Sequence, residues 1–234
     1  MTNDRSGNTQ IFDQYAQKYD EALNQSISIS GEEKDYFAHG RIRFLSSLLN
    51  ERRASIKTVL DFGCGTGSAT PHVMEILRPG SLLGLDTSPL SLQEATTKHS
   101  NKATRFLTLE QYSPNQEIDL AYCSAVFHHI PPDDRAESVE YVYRSLKVGG
   151  YFSFWEHNLW NPGARYVMSR CPFDEDAIPL RASESRSLLA ASGFKILRTD
   201  YLFIFPRFLR YFRGIERKLT QLPIGAQYQV LCIK

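Results

Sequence analysis

The hydrophobic pattern of this chain alternates between short apolar runs and longer stretches with apolar residues at helical spacing. The runs predict seven strands, at residues 58–62, 82–86, 104–109, 118–123, 150–156, 194–204 and 226–233. The stretches between them predict helices near 68–78, 89–99, 133–146, 183–192 and 206–220. This alternation predicts an α/β fold, with a mostly parallel seven-stranded sheet and helices on both of its faces.

Two further helices are predicted before the first strand, and they would form an N-terminal helical cap. Residues 11–22 have the pattern of a short helix, and residues 31–53 that of a longer one. In the first of these, Tyr15 and Tyr19 share one face, so they either pack against the domain or contact a ligand.

The segment from Val59 to Gly67, with the sequence VLDFGCGTG, carries the most specific signal in the chain. It predicts a buried strand that ends in a turn of positive φ, because only glycine enters such conformations cheaply. The following helix would present its unpaired amides to a ligand. Ser68 replaces the third glycine of a dinucleotide fingerprint, and no P-loop lysine follows. Asp61 would repel a pyrophosphate but pair with an ammonium group, so a ligand with an amino-acid head and a nucleoside tail fits best.

A second acidic residue, Asp86, ends the next predicted strand, about 20 residues beyond the glycine turn. A carboxylate in that place accepts hydrogen bonds from the hydroxyls of a ribose. Ser88 and Pro89 then form a suitable N-cap and first residue of a helix. The spacing therefore adds a ribose site to the predicted cradle.

Residues 59–67 resemble motif I of the class I S-adenosylmethionine (SAM) dependent methyltransferases, which usually reads (V/I)LDxGCGTG. The lead-in FDQYAQKYD at 12–20, the HHI at 128–130 and the LKVGG at 146–150 are also similar to that family. EHN at 156–158 and CPFDEDA at 171–177 resemble a bacterial small-molecule subgroup, like methyltransferases of types 11 and 12. The resemblance implies a Rossmann-like fold, SAM as the cofactor and S-adenosylhomocysteine as its product.

The resemblance also implies roles for individual residues. In the family the glycine turn wraps the methionine and ribose parts of SAM, and a residue at the fourth strand end lies beside the methionine. The usual acidic-plus-small pair for the adenine amino group is missing, and Glu110 or Gln111 stands in that place. The implied cofactor-binding residues are Asp61, Gly63, Cys64, Gly65, Gly67, Asp86, Thr87, Glu110, Ser124 and Tyr19.

Histidines follow two of the predicted strand ends, and a histidine takes up a proton near neutral pH. His157 is the preferred general base, with Glu156 either orienting it or binding the substrate, unless this strand end only fixes the next loop. His128 is the second candidate base; the alternatives are that it packs on the cofactor or caps the next helix. The predicted substrate contacts are Glu156, Asn158, Arg165 and Tyr15, with pairing to the acidic residues at 174–176 as the alternative for Arg165.

Composition narrows the class of protein. The chain has 27 basic and 26 acidic residues, a net charge of +1, which argues against broad binding to nucleic acid. Four cysteines without metal-binding spacing predict buried reduced thiols and no metal site. No signal peptide or membrane span is recognised, so we expect a cytoplasmic protein, monomeric or homodimeric.

The 234 residues suit one domain, which we divide into a cap at 1–55, a SAM-binding core at 56–160, and a lid insertion with the rest of the sheet at 161–234. Residues 205–220 combine apolar positions at helical spacing with five basic residues. Such a helix either packs on its own domain, which is the favoured interpretation, or makes peripheral contact with a membrane or a lipidic substrate.

The sequence thus predicts methyl transfer from SAM to a hydroxyl or amine, less readily a carbon, of a small molecule. A lipid-linked, saccharide or secondary-metabolite acceptor is compatible with this prediction. The rival from another class is a catalytically silent SAM-binding regulator or partner subunit. A nucleic-acid methyltransferase is disfavoured, because residues 118–130 lack an (N/D)PP(F/Y) motif. The acceptor and the methylated atom do not follow from the sequence.

Overall fold

The computed structural model describes residues 19–234, and side chains from residue 23 onward. Eight helices lie in this part of the chain, one of them with a π-helical second half. They are α1 (Tyr19–Ile27), α2 (Lys34–Glu51), α3 (Thr70–His72, continued by Val73–Leu77), α4 (Pro89–His99), α5 (Arg135–Ser145), α6 (Pro162–Met168), α7 (Ala182–Ala191) and α8 (Arg213–Leu219). The helix predicted at 11–22 falls largely outside the described residues.

Seven strands form a single sheet in the order β3-β2-β1-β4-β5-β7-β6. They are β1 (Thr58–Phe62), β2 (Ser81–Asp86), β3 (Thr104–Thr108), β4 (Ile118–Ser124), β5 (Leu146–His157), β6 (Lys195–Leu202) and β7 (Gln227–Ile233). The first five strands pair in parallel, whereas β7 runs antiparallel between β5 and β6. The predicted α/β fold with a mostly parallel seven-stranded sheet is confirmed.

The sheet is covered on both faces, which explains why its central strands are almost continuously apolar. In β1, Val59 packs with Ile42 of α2 on one face. Leu60 and Phe62 pack with Phe127 on the opposite face. Asp61 is a buried carboxylate among these apolar residues. A strand that is apolar on both sides therefore delivers one acidic group to its carboxyl end.

The four cysteines of the chain are all buried and free, as predicted. Burial raises the pKa of the thiols of Cys64, Cys123, Cys171 and Cys232 above the ordinary value. Thiols of this kind stay protonated and act as small apolar groups.

The prediction of one packed helix over residues 206–220 is wrong. The chain forms 3₁₀ turns at Arg207–Phe212 and then the short helix α8, with non-helical backbone at Leu209 (φ −104°, ψ 19°). The break divides the apolar face, so Phe208 and Phe212 remain 74% and 54% exposed. Among the described helices, none is both long and apolar enough to cross a membrane.

Candidate active site

A cavity of about 840 Å³ opens at the carboxyl edge of the parallel strands, where ligands bind in open α/β sheets. Most of the predicted site residues line it: Asp61, Gly63, Cys64, Gly65, Asp86, Thr87, Glu110, Ser124, His128 and His157. Gly67, Glu156, Asn158 and Arg165 are not among the lining residues. Tyr15 lies outside the described residues, as does the side chain of Tyr19 at the start of α1.

The glycine turn is shaped by neighbouring atoms on one side and by open space on the other. Gly63 (φ 74°) leaves no room for a side chain, because an added Cβ would lie 2.3 Å from Cγ2 of Val126. Gly65 (φ 51°) differs, since an added Cβ would meet nothing within 4 Å. The amides of Gly63 and Cys64 both donate to the carbonyl of Leu85 and so tie the turn to β2. Gly65 therefore keeps a concave surface clear for a ligand.

Asp61 is the electrostatic centre of this cradle. Its side chain is buried, and its Oδ2 has no hydrogen-bond partner among the described residues. Burial and the nearby carboxylate of Asp86 raise the pKa of Asp61 to about 7. A buried carboxylate without a partner is costly unless a ligand supplies a positive charge. The site is therefore suited to a cationic group beside the glycine turn.

Asp86 ends β2 with its carboxylate directed at the same turn. Its Oδ2 accepts from the amide of Gly65 at 2.7 Å, and its Oδ1 accepts from the amide of Ser88 at 2.9 Å. Ser88 in turn caps α4, because its hydroxyl accepts from the amide of Ser91 at 3.1 Å. A carboxylate has about four lone-pair sites, so Asp86 can accept from ribose hydroxyls as well.

Three histidines and two carboxylates form a cluster at the cavity, and all of them except Glu156 line it. His128 lies between the acids: its Nδ1 is 2.6 Å from Glu156 Oε2, and its Nε2 is 3.4 Å from Asp174 Oδ1. His129 Nε2 lies 3.5 Å from the same oxygen of Asp174. The ring centres of His128 and His157 are 5.3 Å apart. Asp174 comes from a 3₁₀ turn after α6, His128 and His129 come from a 3₁₀ turn after β4, and His157 ends β5.

The cluster fixes different protonation states for its histidines. Burial alone would lower the pKa of His128, but the charges of Glu156 and Asp174 outweigh it and raise that pKa well above its ordinary value. Burial and the charge of His128 lower the pKa of both His129 and His157. At neutral pH, His128 is therefore a hydrogen-bond donor, while the other two imidazoles are neutral.

These contacts bear on several predicted roles. Glu156 contacts His128 rather than His157, its Oε1 accepts from the amide of Phe127 at 2.8 Å, and its buried side chain does not line the cavity. The charges of Glu156 and Asp174 raise the pKa of His128, which favours its protonated form over the free base that the predicted role requires.

Two other predicted substrate contacts, Asn158 and Arg165, lie within the described residues, and neither lines the cavity. Asn158 is buried and holds the following loop, donating to the carbonyls of Pro223 and Gly225 at 3.0 and 2.8 Å. Arg165 is exposed on α6 and does not line the cavity.

Asp174 and Arg41 line the cavity but were not among the predicted site residues. Asp174 belongs to the CPFDEDA segment, for which the sequence suggested pairing with Arg165, a residue only nine positions away in the chain. Arg41 of α2 reaches the cavity, donating to the hydroxyl of Tyr122 at 2.9 Å and to Gln227 Oε1 at 3.0 Å. No local sequence signal distinguishes Arg41 from a solvated residue of the same helix.

The seven-stranded sheet, with a glycine turn and two acids at its carboxyl edge, fits an α/β protein that binds a nucleoside with a cationic amino-acid group. Known proteins agree with this class. A family described as "Methyltransferase domain" matches residues 60–152. Trans-aconitate 2-methyltransferase of Methylobacterium nodulans is 30% identical over 181 residues, 71% of this chain and 69% of that protein.

Two further similarities extend the comparison. The enzyme of the same name from Rhodopseudomonas palustris is 25% identical over 142 residues, 58% of this chain and 54% of that protein, so the chain spans about half of that relative. A SAM-dependent methyltransferase of Mesorhizobium loti has the same fold, with a TM-score of 0.59 at 18% identity over 80% of this chain and 96% of that one.

The chain belongs to the class I SAM-dependent methyltransferases. Its cofactor is SAM, and the described residues fit that molecule. The unpartnered Oδ2 of Asp61 suits the ammonium group, Gly65 leaves space beside it, and Asp86 suits the ribose. When bound, SAM supplies an activated methyl group.

Proposed function

We propose that this methyltransferase acts on a hydroxyl or amine of a small, largely apolar acceptor, with His157 taking the proton of the acceptor. The observation that carries the proposal is one cavity that two different groups line. They are the carboxylate of Asp61, whose Oδ2 has no hydrogen-bond partner among the described residues, and the neutral imidazole of His157.

The charge of the cavity supports an acceptor that is not an anion. The described lining residues include seven carboxylates, three basic side chains and the charged His128, which is paired with Glu156 and Asp174. Each of these basic groups already has a partner: Lys34 donates to Ser68, Arg41 to Tyr122, and Arg213 to Glu32. A polycarboxylate would meet net negative charge without a free cation to bind it. The charge of the cavity therefore disfavours trans-aconitate, the substrate in the name of two relatives, as the acceptor of this chain.

Aromatic side chains support an apolar acceptor. Tyr36, Phe37 and Phe203 line the cavity and stack edge to face, with ring centres 4.9 to 5.9 Å apart. Phe205 and Phe208 continue this lining toward the mouth. A cavity with a few convergent polar groups and an aromatic wall is typical of small-molecule sites.

The chain's own contribution to the reaction is alignment and proton removal. Holding the nucleophile in line with an activated methyl group accounts for much of the acceleration that such enzymes need. As the acceptor atom formed its bond to the methyl carbon, the bond from that carbon to the sulfur would break, leaving S-adenosylhomocysteine, and the proton of the acceptor would move to the imidazole of His157. Burial, together with the charged His128 beside it, lowers the pKa of that imidazole and keeps it neutral beforehand.

The test uses purified protein, SAM labelled in its methyl group and a small-molecule extract. We expect labelled product with the wild type, a rate lowered about 10²- to 10⁴-fold in His157→Gln, and an unchanged SAM dissociation constant. His72→Gln is the matched control, because His72 is also buried beside an acid, Asp35 at 2.8 Å, but does not line the cavity.

Other outcomes identify the rivals. SAM binding without labelled product from any extract indicates the silent module. Label in RNA or DNA indicates a nucleic-acid methyltransferase. A His157→Gln protein as active as wild type removes the proposed base.

A further inference from the structure

The segment between β6 and β7 exposes an unusual set of side chains. We call residues 207–218 the basic–aromatic segment. Phe208, Tyr211, Phe212 and Ile215 are 74%, 84%, 54% and 49% exposed. Large apolar side chains that are exposed together, and not singly, mark a site of interaction.

The segment is attached to the domain by charged residues rather than by its apolar ones. Arg213 donates to Glu32 Oε1 at 2.9 Å and to the carbonyl of Phe205 at 3.1 Å, and its guanidinium lies 4.6 Å from the ring centre of Tyr36. Glu216 accepts from the amide of Ile204. This arrangement is the reverse of the usual amphipathic helix, which buries its apolar face. The outward surface thus consists of aromatic, aliphatic and basic side chains.

The charge of the segment differs from that of the rest of the chain. Five of the 27 basic residues and one of the 26 acidic residues lie within it, so the remainder of the chain is net negative. Arg213 and Glu216 pack inward, which leaves Arg207, Arg210 and the pair Arg217–Lys218 on the exposed side. The exposed surface is therefore positive as well as apolar.

The same segment forms part of the cavity mouth. Phe205, Pro206 and Phe208 line the cavity, and so does Ile29, which is 56% exposed. Arg207 links the two parts of the mouth by donating to the carbonyl of Gly31 at 3.3 Å. A surface that covered the basic–aromatic segment would lie next to the entrance.

We propose that the basic–aromatic segment docks on the surface of an anionic lipid bilayer, with the cavity mouth facing the lipid. Basic residues attract acidic headgroups, while exposed aromatic and aliphatic side chains enter the interface. A second copy of the chain would bring two such positive surfaces together, which the charge disfavours. An amphiphilic acceptor would then enter the apolar cavity directly from the bilayer. Docking itself is independent of the acceptor's chemistry.

The test is co-sedimentation of the 234-residue chain with lipid vesicles. One set contains phosphatidylcholine alone, and the other about one third phosphatidylglycerol. We expect at least about tenfold stronger binding to the anionic set, weakening as salt is added. The double variant Arg210→Gln/Lys218→Gln should bind about 25-fold more weakly, at about fivefold for each charge near the surface. Tyr211→Ser/Ile215→Ser should lose binding in both sets.

A matched control removes two exposed charges at the opposite end of the sheet, in Lys102→Gln/Arg105→Gln, and should bind as the wild type does. None of these six side chains lines the cavity, so every variant should keep its thermal stabilisation by SAM. Three results would overturn the proposal. The first is that the protein binds both vesicle sets equally. The second is that the control variant loses as much binding as the Arg210/Lys218 variant. The third is that the protein binds no vesicles and instead self-associates through Tyr211 and Ile215.

Discussion

Replacing Asp61 with asparagine should weaken SAM binding and, at the same time, stabilise the protein without its cofactor. The substitution keeps the shape of a side chain that is 3% exposed but removes its charge. A hydrogen bond between charged groups contributes about 1.5–3 kcal/mol. Losing the pairing with the ammonium group should therefore raise the SAM dissociation constant roughly 10- to 150-fold. Isothermal calorimetry measures this change directly.

The effect on stability has the opposite sign. The pKa of Asp61 rises from 3.8 to about 7 on folding, so the folded protein binds the proton more tightly than the unfolded chain. The stability that this proton provides is complete below pH 3.8 and is lost as the pH rises toward 7. A neutral asparagine avoids that loss, worth up to about 4 kcal/mol at 1.36 kcal/mol per pH unit. The melting temperature at pH 8 should rise by on the order of 10 °C, and by little at pH 4.

The pH dependence of binding gives a further check. Between pH 7 and 5.5, wild-type affinity for SAM should fall, by at most about tenfold per unit, as Asp61 takes up its proton. The asparagine variant should show no such fall. A variant that binds SAM as tightly as wild type, or that melts at a lower temperature at pH 8, would refute the assignment of Asp61 to the ammonium group.

Two other substitutions separate folding from binding. Asp119→Asn should lower the free energy of unfolding by about 1.5–3 kcal/mol in urea titrations at pH 7, with an unchanged SAM dissociation constant, because its carboxylate accepts from the amides of Lys57 and Thr58. The pKa of Asp119 is lowered, since these hydrogen bonds and Lys147 outweigh its burial, so the difference should fade as the pH falls through that pKa. Gly63→Ala should cost more than 2 kcal/mol by overpacking and positive φ, whereas little loss in thermal melts would contradict the geometry of the turn.

The cofactor half of the site could be predicted from the sequence because its determinants are local. Asp61 and the turn around Gly65 are neighbours in the chain, and Asp86 ends the next strand, so spacing alone places all three at one edge. The strands of the parallel half begin and end within a residue or so of their predicted limits, except β5, which starts earlier.

The acceptor half could not be predicted in the same way, because its contacts are between distant residues. Asp174 Oδ1 lies 3.4 Å from Nε2 of His128, a residue far from it in the sequence, although Arg165 is much nearer along the chain. The acceptor side also includes Arg41, whose neighbours in α2 give no hint that it turns toward Tyr122. Apolar periodicity gave the wrong prediction for the basic–aromatic segment, because it shows how apolar residues are spaced and not which residues attach the segment to the domain. There the anchors are charged.

The position of the last strand has a consequence for how the molecule assembles. β7 lies between β5 and β6, so β6 pairs with the sheet only through β7. Because β7 follows β6 in the sequence, the ribosome synthesises it later. Strands β1 to β4, which carry the cofactor cradle, are complete by Ser124. The cradle can thus take shape early in synthesis, while β6 and the basic–aromatic segment wait for Gln227–Ile233. We expect a chain that ends before β7 to fold its cofactor cradle but not the mouth of the cavity.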